Sequence, residues 1–376
     1  MAEQGTQAWQ HYNPVRLLSG IGVAQRLGDF LPTGRVLLLT STGMVKRGQA
    51  QCLTQACPAA DWLTQTIAPN PDLDALDDLC GSLRAQQGPS VVAIVAFGGG
   101  SVIDAAKALA LGLRSPYVRP LQQWLREGQR EMPDPLPLFC LPTTAGTGAE
   151  VTPFATVWDG RSRKKCSLAD ERLFPVMALL DAQLTRSLPW RETLYTALDT
   201  TSHALETLWN RYATPISRTL AIEALRGVVK ALPAIESRLD DITLREQLQT
   251  ASVLAGFAIS QSRTALAHAM SYPLTAHYGV PHGLACSFTL PALIRRVRAA
   301  NAFPQEVPQE LLDAVIGMLE SYEPGKALRG YCTPDAVLGH VGEMFDPARV
   351  DNFLLEVNEA LVQGLVVESL KMGKKQ

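Results

Sequence analysis

Neither sign of charge predominates in this sequence. Across 376 residues, 34 Lys and Arg face 36 Asp and Glu, a formal net charge of -2. Such a chain has no excess of positive charge to hold a nucleic-acid backbone, so a dedicated DNA or RNA binder is not expected. Cysteine is sparse and unpatterned: seven residues, at 52, 57, 80, 140, 166, 286 and 332, with no CxxC pair. An odd, scattered set is how a reduced intracellular chain uses cysteine, and it argues against a disulfide framework. Long apolar runs are absent too. Those near Val91–Phe97 and Ala105–Leu113 are far short of the roughly 20 residues that span a bilayer. The opening MAEQGTQAWQHYNP has no apolar h-region, so no secretory signal is expected. No internal repeat or low-complexity tract is found. What is present is 47% hydrophobic and 19% charged, ample for sizeable cores. At about 150 residues per domain the length predicts two domains. The expectation is a soluble, cytoplasmic α/β protein.

The first half alternates strand-like and helix-like segments. Arg35–Thr40 (RVLLLT), Ser90–Phe97 (SVVAIVAF) and Leu136–Leu141 (LPLFCL) read as buried strands, with helices at Leu73–Gln86 and Val102–Leu113 between them. This order predicts a parallel sheet with right-handed crossovers. From about Trp190 the pattern changes to helices alone: Thr193–Asn210, Ile216–Ala231, Ile242–Gln261, Gly283–Val297 and Val350–Leu365. We place a boundary near residue 186, giving an α/β domain over 1–186 and a helical domain over 187–376.

Two small-residue loops follow strands. Gly98-Gly99-Gly100-Ser101 joins the most apolar strand directly to a helix. Without Cβ atoms an anion can approach the backbone, and the helix N-terminus supplies free N–H groups and a positive dipole end. The pattern is neither GxGxxG nor a P-loop, and tight turns also use glycine for steric reasons alone, but the strand–turn–helix context points to a pyrophosphate site. Asp104 and Lys107, at i and i+3 on that helix, read as a solvated ion pair. Asp104 is also near enough to brace the turn. The second loop, Pro142 to Glu150 (PTTAGTGAE), falls on the same carboxyl edge of the sheet, where open parallel sheets bind ligands. Its Thr143, Thr144 and Thr147 offer hydroxyls to a ribose or nicotinamide.

In the helical half, Asp199 and His203 stand at i and i+4, on one face of a helix and suited to a single cation. His268, His277 and His282 follow. Oxygen and imidazole donors together suit Fe²⁺ or Zn²⁺ better than Mg²⁺ or Ca²⁺. Spacing alone leaves open whether His277 or His282 is the third histidine ligand.

Taken in order, Gly98-Gly99-Gly100-Ser101-x-x-Asp104-x-x-Lys107, Pro142-Thr143-Thr144-x-Gly146-Thr147-Gly148-x-Glu150, Asp199-x-x-x-His203 and His268…Pro281-His282-Gly283 make the chain resemble the iron-containing (group III) alcohol dehydrogenases over its whole length. The resemblance implies an α/β N-terminal Rossmann-like domain plus an all-α C-terminal domain, the architecture of dehydroquinate synthase. It implies a divalent metal on Asp199, His203, His268 and His282, with His277 outside. It assigns NAD or NADP to Gly99, Gly100, Ser101, Thr143, Thr144, Thr147 and Lys165, with Ser41, Gly98 and Asp104 beside them. It also implies a homodimer.

Three positions depart from the family pattern. Where many members carry a proton-relaying histidine, this chain has Tyr272. A tyrosine still donates a proton, but its reference pKa near 10 favours a shuttle near neutral pH only if lowered. Where NAD-selective members carry an Asp after the first strand, Ser41 stands, with Lys46 and Arg47 near enough to welcome NADPH. Arg263 replaces a small residue and, in the cleft, would clamp an anionic substrate. Arg263-Thr264…His268-x-x-Ser271-Tyr272-Pro273 looks like the phosphonate-metabolism branch. The implied activity is oxidation or reduction of a small, anionic alcohol or aldehyde, such as 2-hydroxyethylphosphonate or phosphonoacetaldehyde. The alternatives are a lyase of the dehydroquinate synthase type and a non-catalytic binding protein.

Overall fold

The computed structural model describes residues 8–129, 131–162 and 164–371. Eight strands occur in chain order: β1 (Arg16–Ser19), β2 (Arg35–Thr40), β3 (Asp61–Thr66), β4 (Val91–Gly98), β5 (Leu138–Pro142), β6 (Phe154–Asp159), β7 (Lys164–Ala169) and β8 (Met177–Leu180). Six form one parallel sheet in the spatial order β3-β2-β4-β5-β8-β1. Between them run α1 (Thr42–Lys46), α2 (Gln49–Ala56), α3 (Leu73–Ala85), α4 (Gly100–Gly112) and α5 (Pro120–Leu125). The period-2 alternation of strand side chains divides the core. Leu37, Leu39, Ile94 and Ala96 pack on one face with Leu73, Leu76, Val102 and Ile103. Val36, Leu38, Val95 and Phe97 pack on the other with Met44, Ala50 and Leu53.

The chain leaves β2 for β3 in one direction and returns to place β4 on the other flank of β2. The carboxyl ends of β2 and β4 therefore border the crevice where the strand order reverses, the place where such sheets hold ligands. The last strand ends at Leu180 and the first long helix starts at Trp190. There follow α6 (Trp190–Leu208), α7 (Pro215–Ile235), α8 (Ile242–Ser262), α9 (Leu266–Tyr278), α10 (His282–Ser287) and α11 (Leu290–Ala299), then shorter helices up to Glu359–Lys371. The fold is thus the expected parallel α/β unit followed by a helical one. No helix among the described residues is long and apolar enough to cross a membrane.

The buried half of α6 is polar, from Asp199 to Thr207. It stays helical because its hydroxyls bond back along the helix: Thr201 Oγ1 to Ala197 O at 2.8 Å and Thr207 Oγ1 to His203 O at 3.1 Å. So polar a core segment needs a purpose, and the site described below provides it.

Four details differ from the sequence expectations. The helix expected over 283–297 is two helices, because Pro291 is tolerated only in a first turn and restarts the helix at Leu290. The helix expected over 350–365 is interrupted: residues 351–358 are irregular, and there the Asn352 side chain donates to Thr264 O at 2.7 Å. The antiparallel hairpin β6–β7 was not expected. Finally, Asp104 and Lys107 are not a solvated pair. Lys107 is fully buried, and its Nζ donates to the carbonyls of Ala149, Thr152 and Phe154, each at 2.7 Å. Asp104 Oδ2 accepts from Thr156 N at 3.0 Å, so it braces the hairpin rather than the glycine turn.

Lys107 therefore pins the end of the threonine loop to α4. Lys107→Met takes the ammonium donor away from three carbonyls and is expected to cost about 2–4 kcal/mol. Urea unfolding checks this; an unchanged midpoint contradicts it.

Candidate active site

Three helices meet at one point. Asp199 and His203 come from α6, His268 from the first turn of α9, and His282 begins α10. Gly283 makes the meeting close: a Cβ there would collide with the Tyr195 carbonyl of α6, so only glycine lets α10 rest on that helix and bring His282 to Asp199. The Nε2 atoms of His203, His268 and His282 lie 3.6, 3.6 and 3.8 Å from Asp199 Oδ1. Four donors bound at about 2.0–2.2 Å to one ion stand apart by distances of this order.

The hydrogen-bond pattern fits a cation as well. Asp199 Oδ1 and His268 Nε2 are buried without a hydrogen-bond partner among the described residues. Orphans of this kind are rare in a native core, and a shared ion satisfies both. The other ring nitrogen of His268, Nδ1, is 2.6 Å from Glu206 Oε2, and Glu206 Oε1 accepts the His268 amide at 3.1 Å. Glu206 is fully buried; burial pushes its carboxyl up, but His268 outweighs this and holds it below its ordinary value. A carboxylate behind a histidine fixes the tautomer and leaves Nε2 free to ligate. Glu206 was missed from sequence, although Asp199-x-x-x-His203-x-x-Glu206 keeps all three near one helix face. Cys286, also missed, has its Sγ 3.5 Å from His282 Nε2. Its Sγ and the ligand atoms of Asp199, His268 and His282 lie within 4.8 Å of one another. His277 lies outside the centre: its Nε2 is 2.8 Å from Glu343 and its ring stacks on His340 with centroids 4.3 Å apart.

A cavity of about 430 Å³ joins this centre to the sheet. It is lined by all four donors and by Ser41, Gly99, Gly100, Ser101, Asp104, Thr144, Thr147, Lys165, Arg263 and Tyr272. Gly98 and Thr143 are not among the lining residues. Thr143 is turned into the sheet end, where its amide donates to Gly98 O at 3.0 Å. Gly99 caps α4, whose first turn opens on the cavity. A Cβ on Gly100 would come within 2.7 Å of Thr147, so the two small-residue loops interlock only because Gly100 lacks one. Ser41 caps α1, accepting from Met44 N at 3.3 Å. Lys46 and Arg47 are exposed and do not line the cavity. Burial pushes the Asp104 carboxyl up to about 6, against the pull of Lys107 and the Thr156 amide.

Lys165 lies on β7, its Nζ 4.3 Å from the centre of the Tyr272 ring. Arg349 Nε donates to Tyr272 Oη at 3.1 Å. Burial alone would raise the Tyr272 pKa, but Lys165 and Arg349 outweigh it and lower the phenol below its ordinary value. Arg263 ends α8 with φ 62 and ψ 172, a region almost confined to glycine. Its side chain is exposed, 5.9 Å over the Phe154 ring, and also lines a neighbouring groove. It therefore stands at the mouth of the cleft rather than beside the four donors.

Two family models match the chain: "Iron-containing alcohol dehydrogenase" over residues 14–182 and "Fe-containing alcohol dehydrogenase family, C-terminal" over 193–326. The phosphonoacetaldehyde reductase of Streptomyces viridochromogenes is 34% identical over 306 residues, covering 78% of this chain and 76% of its own. The probable alcohol dehydrogenase EutG of Escherichia coli is 37% identical over 221 residues, 58% of this chain; the match spans only 55% of the length of EutG. The crystal structure of sulfoacetaldehyde reductase from Bifidobacterium kashiwanohense, solved with NAD+, superposes with a TM-score of 0.86 at 28% identity, covering 97% of this chain and 99% of that one.

Glu206→Gln keeps the shape of the side chain but weakens its hold on His268. It is expected to lower divalent-metal affinity about 10–100-fold, measured by equilibrium dialysis; wild-type affinity would place Glu206 outside metal binding. With four donors around one point beside a glycine-capped helix, and family models matched on both sides of the cleft, the chain belongs to the iron-containing alcohol dehydrogenase family.

Proposed function

We propose that this protein is a metal-dependent, NAD(P)-linked alcohol dehydrogenase working as a reductase of small anionic aldehydes. The observation that carries the reading is that the Asp199, His203, His268 and His282 donors and the glycine turn open on one cavity. In this reading the four donors would hold Fe²⁺ or Zn²⁺, which would supply Lewis-acid chemistry toward an aldehyde oxygen, and a nicotinamide would supply hydride.

The chain's own residues do the rest. N–H groups at the start of α4 bind the dinucleotide diphosphate, with Ser101 beside them. Thr144, Thr147 and Lys165 hold the ribose and nicotinamide. Ser41 faces the adenosine ribose without a carboxylate, so neither NADH nor NADPH is repelled. Tyr272 holds the proton that the product alcohol needs, and Arg263 draws an anionic substrate into the mouth. The names of the Streptomyces relative and the Bifidobacterium structure support phosphonoacetaldehyde or sulfoacetaldehyde as substrate. A cytoplasmic homodimer belongs to the same reading. The lyase and non-catalytic alternatives are not carried forward, because the named relatives are dehydrogenases and reductases.

The metal-loaded protein is expected to oxidise NADH or NADPH with phosphonoacetaldehyde or sulfoacetaldehyde, followed by nicotinamide absorbance. No turnover with any member of a small aldehyde panel contradicts the proposal. Aldehyde reduction consumes a proton, so it needs Tyr272 protonated and must decline as pH rises through the phenol pKa. Because that pKa is lowered, the decline is expected below pH 10. Tyr272→Phe should cut kcat by about 10–100-fold and remove this alkaline limb. A variant that keeps the limb shows that another group carries the proton.

Arg263→Gly removes the guanidinium at a backbone geometry glycine tolerates. It should raise KM for anionic aldehydes by a few-fold, about 2–5, with little change for neutral ones; equal effects on both contradict a role in anion capture.

A further inference from the structure

We propose that Arg349 is the core of an anion subsite that receives the sulfonate or phosphonate tail of a two-carbon aldehyde, one turn of α9 from the metal ligands. This rests on the reductase reading above and names the group that recognises the substrate.

Three cationic side chains line the cavity: Lys165, Arg263 and Arg349. Lys165 stands over the Tyr272 ring, where the reading above gives it to the cofactor. Arg263 is exposed at the mouth. Arg349 is the inward one. It is half-buried, with Nε on Tyr272 Oη at 3.1 Å and Nη1 on Ala348 O at 3.2 Å. Among the described residues no acceptor meets Nη2 and no carboxylate forms an ion pair with this guanidinium; Asp346 and Glu206 act on it only from a distance. Removing a guanidinium from water without a counter-charge is costly. Families of oxyanions match its planar fork, and a substrate that brings one supplies the missing charge.

The surroundings hold Arg349 in place before any ligand arrives. It lies in the short helix Pro347–Val350, capped by Asp346, which accepts from Ala348 N at 3.1 Å. The Asn352 side chain ties this segment to Thr264 O at 2.7 Å and to Ala348 O at 3.1 Å, next to the start of α9.

Position sets the length of substrate that fits. Tyr272 follows His268 by four residues on α9, so its Cα lies about 6 Å along the helix axis from that of His268, on the same face, and Arg349 meets it there. In an extended two-carbon aldehyde with a sulfonate or phosphonate tail, the carbonyl oxygen and a tail oxygen are roughly 5 Å apart. With the carbonyl at the four donors, the tail points along the shared cavity toward Tyr272 and Arg349. Tyr272 stands between the two ends and touches Arg349, so the group that holds the tail also sets the orientation of the phenol.

The test compares wild type, Arg349→Ala, Arg349→Lys and Tyr272→Phe. KM and kcat are measured with sulfoacetaldehyde, phosphonoacetaldehyde and the neutral propionaldehyde. Binding of ethanesulfonate and ethylphosphonate, which carry the tail without a reactive carbon, is measured by calorimetry on the metal- and NAD+-loaded protein. Arg349→Ala is expected to raise KM for the anionic aldehydes about 10–100-fold and that for propionaldehyde less than about 3-fold, and to abolish ethanesulfonate or ethylphosphonate binding. Arg349→Lys, which keeps the charge but not the fork, should restore part of both, and it stands in if the alanine variant does not fold. Tyr272→Phe should lower kcat with every aldehyde without the anion-selective rise in KM. A preference between the two anions in wild type identifies which tail the subsite takes. An equal KM rise for neutral and anionic aldehydes, or unchanged binding of both anions in Arg349→Ala, overturns the subsite. A wild type that reduces propionaldehyde but binds neither anion overturns the subsite and leaves the reductase reading standing. A wild type that reduces no aldehyde, yet binds ethanesulfonate through Arg349, overturns the reductase reading and leaves the subsite.

Discussion

One buried carboxylate governs this molecule. Asp199 sits in the core of the helical unit with one oxygen facing three imidazoles and, among the described residues, no hydrogen-bond donor. A carboxylate in that setting is tolerable only beside positive charge. Protonated imidazoles can supply some of it and a bound divalent ion would supply more, which would make the polar stretch of α6 consistent with a folded core. Glu206, one turn beyond His203, orients His268, and the hydroxyls of Thr201 and Thr207 satisfy the same helix from within.

The sheet edge offers the opposite chemistry, free N–H groups suited to an anion. Its strand order reverses between β2 and β4, and there the chain places a glycine-capped helix, Ser41 and the threonine loop. Lys107 joins the two halves of this wall. By spending its three donors on Ala149, Thr152 and Phe154, it fixes where the threonine loop ends and where the β6–β7 hairpin begins. That hairpin carries Lys165 across to Tyr272 on α9, so one cation links the wall of the dinucleotide crevice with the helix that bears His268.

What was legible in the sequence was local. Asp199 and His203 are four residues apart on one helix, and the glycine and threonine loops announce themselves by small side chains after apolar strands. Glu206 and Cys286 were legible by the same rule, since Glu206 lies three residues beyond His203 and Cys286 four beyond His282 on a helix, yet neither was singled out. Lys107 and Asp104 misled because i, i+3 charges usually face solvent, and only the packing of the hairpin on α4 shows otherwise. The hairpin itself was hidden by the lysines that open β7. Arg349 left no signal at all: its place is set by a contact with Tyr272, 77 residues away, and among the described residues no carboxylate forms an ion pair with it.

If Asp199, His203, His268 and His282 hold one divalent ion facing the glycine turn, that ion can be located in a crystal. Crystals of the protein grown with Fe²⁺ or Zn²⁺, measured at the absorption edge of the metal, test it most directly. A single strong anomalous peak per chain, enclosed by these four side chains, is expected. A peak seated elsewhere, or none at full metal loading, would contradict it.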